Sequence, residues 1–276
     1  MKQFDMKRFG QVLKLDFAEG RKAILWGALA MLLLYLFFFW FAHNIVFLDS
    51  RVDCIQDPEQ RMIMRVNGIC EAVGAFGAMA LFIFLLIAAS TLYRGEQKKQ
   101  KRIAWLMLPA TNLEKFLSRW IYLMVFSLVG GLLPFFVADG IHAAYLWMTD
   151  YPVMTAIDDF FHVIPHVPEG GTTETWLSVI MMYSFLIAIH AFYLLGGVFF
   201  KKFHFIAVSA LVVIAFTGFV GLFNMLVTPG QPMPVSNTAY YISVTVFWIV
   251  AITLFTWLAY RLFCRWQVVT HKYANV

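Results

Sequence analysis

The chain has 276 residues, 61% of them hydrophobic and 13% charged, with a formal net charge of +5. Ordinary soluble domains carry about 45–50% apolar and about 25% charged residues, so this balance excludes a water-soluble globular protein. The pI near 9.1 reads as orientation in a membrane, not as nucleic-acid binding.

Residues 1–23 set Met6, Phe9, Leu13 and Phe17 at helical spacing, with Lys7, Arg8 and Lys14 elsewhere around the turn. This pattern predicts an amphipathic elbow helix lying in the inner membrane interface. Six apolar runs follow, at 24–42, 72–93, 120–138, 176–200, 205–227 and 239–260, and none contains Asp, Glu, Lys or Arg. About 20 helical residues at 1.5 Å each cover a hydrocarbon core of roughly 30 Å, so every run is long enough to span. Backbone groups facing lipid must be paired within the segment, which predicts an all-α polytopic bundle of six transmembrane helices over residues 24–276.

Lys and Arg near span ends tend to stay on the cytoplasmic side. With the N-terminus inside, 18 basic residues fall on the inner side and only Arg51, Arg61 and Arg65 on the outer side. Both termini are therefore expected in the cytoplasm. The first run ends in Phe41-Ala42-His43-Asn44, without an A-x-A-like cleavage site, and is expected to be an uncleaved anchor. Cys54 and Cys70 share the first outer segment and are a candidate disulfide, with two free thiols as the alternative.

The connection 94–119 is the longest cytoplasmic loop. Its first half is basic, it turns apolar at Ile103, Trp105, Leu106, Met107 and Leu108, and Pro109 breaks it. Thr111-Asn112-Leu113-Glu114 fits a capping box, so a new helix is expected to start there and run into the third span. The outer segment 139–175 is the largest exposed piece, with six acids, and is expected to fold as a small cap. Within it Asp158, Asp159, His162 and His166 have metal-like spacing, but Pro165 disturbs the next turn and a solvated acidic loop is favoured.

Catalytic motifs are missing. The sequence has no G-x-x-x-x-G-K-[ST], HExxH or G-x-S-x-G element, so this chain is not expected to be an enzyme or to hold a cofactor. His190, in the fourth run, is the one ionisable residue expected deep in the bilayer. It is a candidate intramembrane polar site, with a neutral packing histidine as the favoured reading.

The order of a basic amphipathic N-terminal helix, six spans and a long connection between the second and third resembles the permease subunits of type-2 ABC exporters. The stretch Trp105-Leu106-Met107-Leu108-Pro109-Ala110-Thr111-Asn112-Leu113-Glu114-Lys115-Phe116-Leu117 is similar to that family's Leu-x-Leu-Pro-[Ala/Val]-[Ser/Thr] element beside the third span. The family's acidic Gly-Thr-x-Glu element is replaced by Gly95-Glu96-Gln97-Lys98, and the link between the last two spans is short.

The resemblance implies a bacterial cytoplasmic-membrane exporter working by alternating access. It also implies a separate ATP-binding subunit carrying ATP and Mg, a second permease chain in a homo- or heterodimer, and surrounding lipids. On it, Ile103, Trp105, Leu106, Met107, Leu108 and Pro109 are the candidate contact with the ATPase. The competing expectation is a membrane scaffold or sensor without transport, whose outer loop binds a partner.

Overall fold

A computed structural model describes residues 4–46, 56–93, 99–163, 171–200, 203–226 and 237–265. The apolar runs form helices, which pair every backbone group internally without help from neighbours. In chain order these are α1 (Met6–Val46), α2 (Pro58–Thr91), α3 (Lys99–Leu106), α4 (Asn112–Met148), α5 (Ile157–Val163), α6 (Thr173–Phe199), α7 (His204–Leu226) and α8 (Asn237–Cys264). Among the described residues, five helices are long and apolar enough to cross a membrane: α1, α2, α4, α6 and α8. The run expected to be the fifth of six spans forms the 23-residue helix α7 up to Leu226, and among its described residues the apolar stretch is His204–Ala215.

Helix ends depart from the apolar runs where the sequence supplies its own start and stop signals. α1 is one uninterrupted helix of 41 residues, so the elbow and the first span are continuous. Gly20 is the only weak helix former between them, and a single glycine costs about 1 kcal/mol, too little to break a long helix. α2 begins 14 residues before its apolar run because Pro58 suits a first helical position and Asp57 caps it, accepting the Glu59 amide on Oδ1 at 3.1 Å. α4 runs on past Ala138 to Met148 and ends where Asp150 turns left-handed at φ 56°. That turn lets the Tyr151 amide donate back to the Leu146 carbonyl at 3.0 Å.

The chain divides into two packed units. One comprises Leu15–Leu85 and Met124–His166. Its core joins Tyr35 and Phe39 of α1, Val66, Ile69 and Val73 of α2, and Phe135 of α4. Tyr35 donates to the Gly131 carbonyl at 3.3 Å, which satisfies a hydroxyl that would otherwise be stranded in an apolar core. The segment that follows α4 packs into this core through α5. Phe160 is fully buried against Gly77 and Phe135, and a Cβ on Gly74 would lie 2.6 Å from the Phe160 backbone nitrogen. Asp139 anchors the connection to α5 by accepting the Ala156 amide at 2.8 Å.

The other unit comprises Met1–Lys14, Leu86–Leu123 and Val167–Val276. α6 and α8 run parallel, because Phe185 meets Trp248 and, seven residues further along both helices, Phe192 meets Phe255. α7 returns antiparallel along α6, with the Tyr193 and Ser209 hydroxyls 2.7 Å apart and Gly196 against Val208. Gly197 admits the end of α2, since a Cβ there would lie 2.6 Å from the Ser90 carbonyl oxygen.

Candidate coupling site

At the start of α4 the T-x-x-E spacing closes on itself. The Glu114 amide donates to Thr111 Oγ1 at 3.2 Å, and the Thr111 amide donates to Glu114 Oε2 at 2.8 Å. Two of the amides that every helix start leaves unpaired are thereby satisfied. Glu114 also holds the head of α1. Arg8 donates from Nε to Oε2 at 2.8 Å and from Nη2 to Oε1 at 2.7 Å, and the Asp5 amide donates to Oε1 at 2.8 Å. One carboxylate thus receives two guanidinium and two backbone bonds while its side chain is fully buried. Glu114 precedes the apolar run Trp120–Ala138, and Arg8 holds its carboxyl well below the ordinary range, at about 2, helped by the Asp5 and Thr111 amides.

The second half of the joint is aromatic. Trp105 of α3 is 5% exposed and meets Phe263 of α8 edge-on at 5.2 Å. Phe263 also touches Tyr93 and Phe116, and Phe116 touches Tyr260. Lys115 Nζ and Arg119 Cζ, one turn apart on α4, both stand 5.6 Å from the Trp105 ring centroid, where a ring face attracts cations. Beyond α3 the helical turn continues, with the Met107 amide bonded to the Ile103 carbonyl at 3.0 Å. Residues 103 and 107 therefore share one face, and Trp105, two positions from each, points the other way. That outward face is apolar: Ile103 is 40% and Met107 79% exposed.

Of the six residues named as a partner contact, Ile103, Met107 and Pro109 are exposed, Leu108 is half-buried, and Trp105 packs inward. The Leu106 side chain lies outside what the structure describes. Cys70 is a free thiol in the core of its own unit, and Cys54 lies outside the described residues, as does His166. Among the described residues no group of three or more His, Cys, Asp and Glu is arranged to hold a metal. His190 is buried on α6, and its Nε2 has no hydrogen-bond partner among the described residues.

Two features of the joint escape sequence reasoning. Arg8 reads as one more basic residue of an interfacial tail, since its carboxylate lies 106 positions away. Phe263 lies three residues past the last apolar run, beyond Arg261, with nothing to mark it as the residue on which Tyr93, Trp105 and Phe116 meet. No family model, curated protein or solved structure matches this chain.

Proposed function

We propose that the chain is the permease subunit of an ABC exporter, a six-span protein of a bacterial cytoplasmic membrane with both termini in the cytoplasm. A separate ATP-binding subunit supplies ATP and Mg, and a second permease chain completes the transporter. The observation that carries this reading is the two-sided character of α3 and the turn after it. One side is fastened to α4 and α8 through Trp105, and the other presents Ile103 and Met107 to the outside. A short helix so fixed can pass a push from a soluble partner directly into two long apolar helices. The absence of a phosphate-cradling motif in the sequence fits a division of labour in which the partner hydrolyses ATP.

The parallel course of α6 and α8 supports six spans. Two parallel helices in one bilayer need an odd number of crossings between them, and α7 supplies a 23-residue helix for that crossing. The test is a mild-detergent purification of the tagged chain from native membranes, with mass spectrometry and an ATPase assay on the eluate. A stoichiometric Walker-motif protein with activity is the expected result. An ATPase-free preparation holding some other partner would favour the scaffold or sensor.

A further inference from the structure

The net charge of this protein is unevenly placed. Residues 1–174 hold all 16 acidic residues and 16 of the 21 basic ones, so the whole formal +5 belongs to residues 175–276, which contain no Asp or Glu. Two of the basic residues there, Arg261 and Arg265, lie at the end of α8 on its outward face. The helix packs inward through Trp248, Phe255, Ala259 and Phe263. The opposite stripe, Phe247, Val250, Leu254, Trp257, Arg261 and Arg265, is exposed at intervals of three and four residues. It is apolar up to Trp257 and cationic after it, and the change falls where the run 239–260 ends. α8 therefore leaves the hydrocarbon at this point, the level at which a tryptophan ring prefers to lie.

Arg261 does not reach away from the membrane. Its Cζ stands 4.6 Å from the centroid of the Trp257 ring, one turn back along α8. Arginines at span ends extend toward water, and the partial negative charge on the last helical carbonyls draws a cation the same way. Here the guanidinium is instead laid over an aromatic face on the bilayer side. Such a stack fixes the plane of the group and leaves the N–H donors along its edge for a planar or tetrahedral anion. Among the described residues no carboxylate pairs with Arg261 or Arg265.

A guanidinium held at this level without a carboxylate calls for an anion from outside the chain, and the apolar stripe beneath it selects one that carries acyl tails. We infer that Trp257, Arg261 and Arg265 bind the headgroup phosphate of an anionic phospholipid, whose acyl chains lie along Phe247, Val250 and Leu254. Arg265 stands about 6 Å further along the axis, on the water side of Arg261. A second cation there repels the choline of a zwitterionic lipid and favours a headgroup that is negative overall.

The test uses full-length protein in phosphatidylcholine nanodiscs containing phosphatidylglycerol with a diazirine on one acyl chain, with photolabelled peptides mapped by mass spectrometry. Saturable labelling of residues 246–257 is expected, displaced by unlabelled phosphatidylglycerol and not by inorganic phosphate. Arg261→Gln, at an exposed position, should weaken it about fivefold, the change that about 1 kcal/mol per basic residue gives. Trp257→Leu keeps the stripe apolar but releases the guanidinium, and should weaken labelling of α8 while labelling of the other helices is unchanged. Equal labelling by a diazirine phosphatidylcholine, displacement by inorganic phosphate, a loss spread evenly over all helices, or labelling unchanged when Arg261→Gln and Arg265→Gln are combined would overturn the inference.

Discussion

Arg8 and Glu114, 106 positions apart in the chain, meet in a two-point grip with nitrogen to oxygen distances of 2.7 and 2.8 Å. The geometry matches the planar guanidinium to the planar carboxylate, and the same carboxylate closes the cap of α4. Movement of the α1 head or of the α4 start therefore has to break bonds shared by both. Arg8→Lys should loosen this joint although it keeps the charge, because an ammonium cannot reproduce the fork. Limited proteolysis near residue 8 in the two proteins would show it as faster cleavage in the variant.

The pH response of this joint has a definite sign. Glu114 titrates at about 2 when folded against an ordinary 4.5, so folding favours its ionised form. Its contribution is whole above about pH 4.5 and is lost as pH falls toward 2. Other acids titrate over the same range, so the informative quantity is the difference from Glu114→Gln. That difference in thermal stability should be greatest at neutral pH and shrink on acidification. A difference that stayed constant down to about pH 2 would contradict the assigned role.

Trp105 and Met107 lie two residues apart and should behave oppositely. Trp105→Ala empties a buried aromatic site and should cost about 3–5 kcal/mol. Trp105→Phe should cost less, since the indole Nε1 has no hydrogen-bond partner among the described residues. Met107→Ala should stay within about 0.5 kcal/mol, because the side chain is exposed. Denaturant titrations of the detergent-solubilised variants give the comparison.

The glycines separate in the same way. At Gly74 a Cβ meets the Phe160 backbone nitrogen at 2.6 Å, and backbone cannot swing aside, so Gly74→Ala should destabilise by about 1–3 kcal/mol. At Gly140, also inside a helix, a Cβ meets nothing within 4 Å. Gly140→Ala should stabilise by up to about 1 kcal/mol through helix propensity. Melting temperatures shifting the same way in both variants would show that the packing of α5 on Gly74 is misassigned.

What the sequence reveals of this molecule follows the range of each interaction. Long runs without a charged residue mark α2, α4, α6 and α8, because pairing of backbone groups in lipid is a local demand. The Thr111–Glu114 box is visible for the same reason, with its partners three residues apart. The unbroken α1 is not visible, since Glu19, Arg21 and Lys22 look like a boundary while none of them interrupts a helix. The inward turn of Trp105 is also hidden, because an apolar residue in a loop has the same appearance whether it faces a partner or Phe263. Contacts such as Arg8 with Glu114 or His43 with His142, about a hundred positions apart, leave no periodic signal at all.

The claim that the outward face of α3 couples this chain to an ATPase is tested most directly by photocrosslinking from that face. A photoreactive residue placed at Met107 in the full-length chain, in native membranes, should capture a Walker-motif protein, in an amount that changes with ATP. Ile103→Asp should abolish both the crosslink and the chain-dependent ATPase activity while leaving membrane insertion unchanged. A crosslink to lipid alone, or to a partner without an ATP site, would contradict the account.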